Sequence, residues 1–351
     1  MNILVVRNDK LGDFITALPT CKVLKEYDPS NKITVLVAPL NEELAKACDF
    51  IDEVIVDRGE SVFELAKRVR KYRFDASLTL FSNTRVAIAQ FLAGIPKRIA
   101  PATKIAQIFY NRRIKQRRSQ VKMAEFEYNL QLAKALFADI SLEYSKHLCR
   151  IEDAKEVYEE FCSEYGITRE VVAFHPGFGG SSDANFTPEE YAQMIESVLE
   201  ADKYDVVLTF GPDEAKLMAK MELLLQESLQ KYECMEKVGI KVDTDKIPHP
   251  FYYQSGCGKK VVFYMSTQGI VHFAKIISGF KLFVSTSTGT YHLASLVGTP
   301  TLTFFADTLF ASSKRWKSVG DESLQKHYML PEDEKKRREI LEEVKRELAS
   351  L

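Results

Sequence analysis

Residues 6–19 read Val-Arg-Asn-Asp-Lys-Leu-Gly-Asp-Phe-Ile-Thr-Ala-Leu-Pro, and the change of pattern inside them decides the fold. The apolar run just before and into it, residues 3–6, is short and uninterrupted and reads as a strand buried on both faces. It breaks at a polar loop and restarts as a helix whose opening carries Gly12 and Asp13. Gly12 lets backbone pass close to another group without a Cβ. Asp13 falls at the positive end of that helix, where a carboxylate is stabilised in its ionised form. An ionised carboxylate beyond the carboxyl end of the first strand is placed to act as a general base. A plain helix cap is the other reading of the same residue.

Outward from this stretch the grammar repeats. Residues 33–37, 54–56 and 76–81 read as further strands, with helices over 41–48, capped by Asn41, and over 62–72. Strands alternating with amphipathic helices indicate βαβ units and a parallel, doubly wound α/β sheet. Ligands of such sheets sit past the carboxyl ends of the strands, which puts Asn8, Lys10, Gly12 and Asp13 on one rim with residues 82–85, Arg85 included. The first turn has a single glycine, so the dinucleotide fingerprint GxGxxG is absent.

The same pattern restarts in the C-terminal half. A strand over 171–174 runs into His175-Pro176-Gly177-Phe178-Gly179-Gly180-Ser181-Ser182. Gly177, Gly179, Gly180 and Ser181 there offer bare backbone N–H groups to an anion. Thr187-Pro188-Glu189-Glu190 marks a capped helix start. A strand over 282–284 feeds Ser285-Thr286-Ser287-Thr288-Gly289-Thr290 and a helix over 291–297. Ser287, Thr288, Gly289 and Thr290 form a second anion cradle at a helix N-terminus, where a single serine would be enough for a cap. Two such turns favour a phosphate-bearing ligand. His292, one residue into the helix, reads either as a structural histidine or as a donor to a phosphate or hydroxyl.

At 351 residues the chain is long for one core, so two domains are expected, over residues 1–164 and 165–330. Residues 231–260 read as an extended loop or insertion. Residues 331–351 read as a charged helix with Ile340, Leu341, Val344 and Leu348 on one side, a strap packed across to the other domain. With 46% hydrophobic residues, 28% charged and a net charge of -1, the composition is that of an ordinary globular protein. No apolar run approaches bilayer length. Six scattered cysteines without a CxxC pair argue for reduced, buried thiols in a cytoplasmic compartment and against a zinc site.

The charge is unevenly spread. No Asp or Glu occurs between Asp75 and Glu125, while Arg85, Lys97, Arg98, Lys104, Arg112, Arg113, Lys115, Arg117, Arg118 and Lys122 all do. This local cationic field could hold phosphates, an anionic membrane surface or nucleic acid. No nucleic-acid motif accompanies it.

Two α/β domains with glycine turns fit a GT-B glycosyltransferase, two Rossmann-like domains facing a cleft. Residues 7–13 with Ala17-Leu18-Pro19 resemble the opening signature of the ADP-heptose:lipopolysaccharide heptosyltransferases, glycosyltransferase family 9. Thr84-Arg85-Val86-Ala87 with residues 94–99, His175-Pro176-Gly177 with Pro188-Glu189-Glu190-Tyr191, Gly211-Pro212-Asp213-Glu214, residues 287–294 with Gly298-Thr299-Pro300, and Arg315-Trp316 are similar to that family's later blocks, in order. The resemblance implies inverting, metal-independent transfer of heptose from ADP-heptose to the inner core of lipopolysaccharide, with no cofactor and no metal. Asp13 would be the base, and Thr288, Gly289 and His292 would hold the donor. Asn8, Lys10, Gly12, Arg85, Arg112, Arg113, Arg117 and Arg118 would face a phosphorylated lipid acceptor at the cytoplasmic face of the inner membrane. Two positions depart from the family pattern. Residues 183–188 carry no lysine where many members have one on the donor phosphate, and Ser287 stands in place of the usual Asp. Both leave open another nucleotide sugar, or a nucleotide-sugar-binding protein without activity.

Overall fold

The computed structural model describes residues 1–103, 105–146, 148–149, 151–177, 185–231, 236–239, 250–255 and 258–351. It divides into two compact units. The first comprises Met1–Arg150 and Lys314–Gly320, the second Ile151–Ser313 and Asp321–Leu351.

The first unit is built on strands β1 (Asn2–Arg7), β2 (Lys32–Val37), β3 (Glu53–Val56), β4 (Ala76–Thr79), β5 (Lys97–Pro101) and β6 (Arg112–Ile114), in the spatial order β3-β2-β1-β4-β5-β6. Every pairing is parallel, and this is the Rossmann order, which reverses direction between β1 and β4. Ile3, Leu4, Val5 and Val6 are each at most 1% exposed, so β1 is covered on both faces as its unbroken apolar run requires. The short helix after it spans Leu11–Ile15, with Lys10 as its N-cap. Asn41 stands at the N-cap position of the helix Glu42–Lys46, but its side chain makes no capping hydrogen bond. It ends a 3-10 turn, Pro39–Asn41, and its Nδ2 donates to the Asp9 carbonyl at 3.1 Å, so its amide braces the loop after β1.

The second unit uses β7 (Val171–His175), β8 (Asp205–Phe210), β9 (Glu236–Gly239), β10 (Phe251–Gln254), β11 (Lys260–Met265), β12 (Leu282–Thr286), β13 (Thr301–Ala306) and β14 (Gln325–Leu330), ordered β14-β13-β12-β7-β8-β11-β10-β9. Leaving out β9 and β10, the parallel strands repeat the order of the first unit, now reversing between β7 and β12. The expectation of an irregular stretch over 231–260 is corrected at its described ends: β9 and β10 extend the sheet edge as antiparallel strands. The Phe251-Tyr252-Tyr253 run is the strand signal, and Phe251 stacks on Phe263 of β11 with centroids 4.6 Å apart.

The division between units lies earlier than residues 164 and 165. The helix Ala154–Tyr165 belongs to the second unit because Phe161 packs edge-on against Tyr264 and Phe280, at 5.3 and 6.3 Å. The final helix, Glu334–Ser350, also stays in the second unit. Leu341, Val344 and Leu348 join the core that holds Val198 and Leu199 of the helix Pro188–Ala201. Arg337 pairs with Glu190 at 3.0 Å and lies 5.1 Å from the Phe186 ring. The tail therefore packs on its own domain, because its apolar stripe meets the capped helix beside it. Among the described residues, no helix is long and apolar enough to cross a membrane. Of the described cysteines, Cys21 and Cys48 are buried, whereas Cys149 and Cys162 are only half-buried.

Candidate active site

In both units the crevice at the reversal of strand order is where an open α/β sheet binds ligands, and the sequence-marked turns fall there. In the first unit the loop after β1 and the segment after β4 share a rim. Asn83 Nδ2 donates to Asn8 Oδ1 at 3.5 Å. Asn8 also donates to Asp57, which takes the Arg85 guanidinium on both its oxygens and the Gly59 N–H at 3.1 Å. These donors hold the Asp57 carboxyl below its ordinary value despite its burial. Arg85 is thus engaged by a carboxylate rather than held open.

Asp13 lies inside the first helical turn, so it is not the cap. Its Oδ1 accepts from Arg7, and Thr16 Oγ1 donates to its carbonyl at 2.6 Å. Among the described residues nothing donates to Oδ2, and the side chain is 19% exposed. One carboxylate oxygen is fixed and the other is open, an arrangement that can accept a proton from an incoming hydroxyl.

Arg7 itself is 3% exposed. Its Nε donates to Asp9 at 2.9 Å, and its Nη1 reaches Glu125 at 3.3 Å. Burial works against its charge, but Asp9, Asp13 and Glu125 together raise its pKa above the ordinary arginine value. Burial pushes the Asp9 carboxyl up to about 6, with Arg7 opposing and Asp13 adding to the shift. Glu125 also meets Arg118 and, at 3.7 Å, Arg315. Six charges, three of each sign and Asp13 among them, therefore interlock at this rim.

The predicted acceptor arginines separate. Arg118 is drawn inward to Glu125 and to Asn129 at 3.3 Å, so its charge is compensated in place. Arg112 donates to the Ala135 carbonyl at 2.7 Å. Arg113 and Arg117 are exposed, as is Lys10, and Gly12 is buried within the short helix.

In the second unit, Thr288 precedes the helix Gly289–Leu296 without capping it. Its hydroxyl lies 2.8 Å from Thr290 Oγ1 and donates to the Thr286 carbonyl at 3.4 Å. The first-turn N–H groups of Gly289 and Thr290 therefore receive no cap from Thr288, which suits them to an anion. Ser287 is fixed through its N–H to the Phe304 carbonyl at 2.9 Å. His292 is 3% exposed, and burial with the nearby His327 lowers its pKa to about 3. It is a neutral hydrogen-bonding group and brings no charge to a phosphate.

Glu214, at the end of Gly211-Pro212-Asp213-Glu214, joins this turn, a place that the sequence alone does not predict for it. Its Oε2 accepts the Gly211 N–H at 2.7 Å and lies 3.9 Å from His175 Nε2. Thr209 Oγ1 donates to the Phe174 carbonyl at 3.3 Å, so its oxygen accepts from His175 Nδ1 at 3.0 Å. Burial keeps His175 neutral by lowering its pKa. A Cβ on Gly177 would stand 1.9 Å from Glu214 Oε1, so glycine is what admits the carboxylate to the turn. Gly177→Ala is expected to swing the flexible Glu214 out while the sheet stays folded. If this turn holds the nucleotide-sugar donor that the sequence resemblance implies, calorimetry should then show weaker ADP binding with a thermal midpoint close to the parent's, and undiminished ADP affinity would place Glu214 outside that site. The signal in the sequence was the Gly-x-x-Glu spacing, which returns the carboxylate to its own turn. Gly179, Gly180 and Ser181 lie outside the described residues.

The sequence model of Glycosyltransferase family 9 (heptosyltransferase) matches residues 62–236. A protein of Haemophilus influenzae named provisionally as a glycosyltransferase is 31% identical over 330 residues, 91% of this chain and 86% of that protein. The chain belongs to glycosyltransferase family 9. It is a glycosyltransferase. Solved structures agree in fold. The E. coli ADP-heptose LPS heptosyltransferase II superposes with a TM-score of 0.73 at 17% identity, covering 100% of this chain and 99% of that one. A family 9 glycosyl transferase from Veillonella parvula gives 0.72 at 16% identity, over 98% and 89%. The E. coli heptosyltransferase WaaC with ADP gives 0.66 at 16%, over 98% and 100%. Two Rossmann-like sheet domains, as in the GT-B heptosyltransferases, are thus the architecture of this family 9 member.

Proposed function

We propose that this glycosyltransferase moves heptose from ADP-heptose to the inner core of lipopolysaccharide, on Kdo or on an earlier heptose, with Asp13 as general base. The observation that carries the reading is Asp13 itself, at the strand-order reversal, with Oδ1 on Arg7 and Oδ2 open. The acceptor hydroxyl oxygen attacks the anomeric carbon and the carboxylate takes its proton. The bond from that carbon to the diphosphate oxygen breaks on the opposite face, and ADP leaves with the bonding electrons, inverting the centre. The N–H groups at the start of Gly289–Leu296, with the Thr288 and Thr290 hydroxyls beside them, suit the charge growing on the departing diphosphate. Glu214, held by Gly211, suits the ribose hydroxyls as an acceptor. The heptosyltransferase WaaC, of the same fold, has been solved with ADP.

Calorimetry across nucleotide sugars tests the donor. ADP-heptose should bind and UDP-hexoses should not, and absence of heat with ADP-heptose removes this donor. A second reading, the same inverting chemistry with another nucleotide sugar, is favoured by Ser287 and by the missing lysine at 183–188. Heat with another sugar in that titration would select it.

A further inference from the structure

We infer that Asp9 is a positioning residue for the base: by holding Nε of Arg7 it keeps Asp13 on a single guanidinium nitrogen and leaves Asp13 Oδ2 free for the acceptor hydroxyl. The inference rests on the proposal that Asp13 is the base, whichever sugar is transferred.

A guanidinium presents Nε and Nη2 side by side along one edge, and their parallel N–H bonds fit the two oxygens of a single carboxylate. In Arg7 that edge is divided. Nε donates to Asp9 Oδ1 at 2.9 Å and Nη2 to Asp13 Oδ1, while Nη1, away from the edge, reaches Glu125 at 3.3 Å. Arg7 is held in this orientation. It closes β1, in register with Val37, and its guanidinium lies 5.7 Å from the Phe81 ring centroid. Asp9 is held as well, because Asn41 Nδ2 grips its carbonyl at 3.1 Å. It is not the cap of the helix Leu11–Ile15, a position that Lys10 occupies. Its carboxylate faces the arginine instead.

The consequence follows from taking Asp9 away. Nε would then be a donor without its carboxylate on a side chain only 4% exposed, and the acceptor remaining on that edge is Asp13 Oδ2. A bidentate pair would occupy both oxygens of Asp13 and hold the carboxylate more firmly in its charged form, which makes a poorer base. Asp9 prevents both. The nearness of the two acids shows in Asp9 itself, where Asp13 adds to the upward shift that burial produces, as like charges sharing a site do. The other charges at this rim are matched among themselves, Glu125 with Arg118 and Arg315, and Asp57 with Arg85. Asp9 and Asp13 are the acids that divide this edge, with side chains 17% and 19% exposed.

Two variants separate geometry from charge. Asp9→Ala removes both, whereas Asp9→Asn keeps an oxygen for Nε without the charge. In a crystal structure of Asp9→Ala, Nε and Nη2 of Arg7 are expected on the two oxygens of Asp13, and in Asp9→Asn Asp13 should stay on Nη2 alone. Asp13 Oδ2 left open in Asp9→Ala would overturn the inference, a result that needs no turnover. In transfer assays with ADP-heptose and a Kdo-bearing acceptor, Asp9→Ala should lower kcat about tenfold or more, with ADP affinity and thermal midpoint near the parent's. The acid limb of kcat should run through two coupled steps in the parent. In both variants it should become one step at lower pH, because no second carboxylate then opposes the ionised base. Asp9→Asn carries the pH test by itself where the alanine variant does not fold. On an Asp13→Asn background Asp9→Ala should lower kcat little further, since it acts through Asp13. An unchanged kcat and pH profile, or losses that multiply with that of Asp13→Asn, would overturn the inference. Undiminished turnover by Asp13→Asn alone would strike the base itself. Absence of turnover by the parent would strike the proposed donor, and the two crystal structures would still decide the role of Asp9.

Discussion

Asp13→Asn is expected to lower kcat by a factor on the order of 10²–10⁴, the range ascribed to a positioned general base, while ADP binding stays near the parental value. The amide has the shape of the carboxylate and can still accept a hydrogen bond from Arg7, but it cannot take up the acceptor proton. Arg7 keeps Asp9 at 2.9 Å and Glu125 at 3.3 Å, so its charge remains compensated and the loop after β1 should keep its place. The proposed donor groups lie on β7, β8 and β12 and the helix after it, which belong to the other unit, so on that proposal calorimetry with ADP should register no change. Steady-state transfer assays with purified donor and acceptor decide the matter. Turnover within a few-fold of the parent would remove Asp13 from the role of base, and a parallel loss of ADP affinity would point to general damage.

The largest effect on stability is expected from Glu125→Ala. Glu125 is 4% exposed and is shared by Arg7, Arg118 and Arg315. Removing it leaves three guanidiniums clustered without their common anion. Breaking a buried ion pair from one side costs about 3–5 kcal/mol, which chemical denaturation would read directly. Burial pushes the Glu125 carboxyl up, but Arg118, Arg7 and Arg315 outweigh it and hold the pKa below its ordinary value. For a carboxyl depressed in the folded state, the stabilisation is present above the ordinary carboxylate range and is lost as the pH falls through the folded value. The gap between parent and variant should therefore be widest near neutrality and narrow in acid. A gap that stays constant across that range would mean that the side chain acts through packing alone. Because Arg7 connects Glu125 to Asp13, any correctly folded fraction should also show reduced kcat.

Much of this was legible in the residues. The short apolar run at β1, the glycine and acid after it, and the hydroxyl-rich turn at 285–290 mark two strand-to-helix turns as candidates because each depends on local chemistry: strand periodicity, backbone freedom, helix ends. The strands β5, β6, β11 and β14 were less visible. Lys97–Pro101 and Gln325–Leu330 carry charged or polar residues at alternating or edge positions, and only pairing with a neighbour makes them strands. Arg118 shows the limit for side chains. Within a basic run it looked like one of several free cations, but the fold carries Glu125 and Asn129 to it from the following helix.

The sequence by itself determined the class of fold, the repeat of the same βα grammar in two halves and the family, since strands, turns and helix starts follow from local patterns and the family from the order of short blocks along the chain; it also nominated Asp13 as the candidate base. Tertiary structure alone decided which charges are spent on one another. Arg7, Glu125 and Arg315 are separated by more than a hundred residues at each step, and Arg85 finds Asp57 across the sheet rim. It also decided that the tail helix packs on its own domain. Coulomb energy and burial depend on distances through space, and those distances are set only when the sheets close.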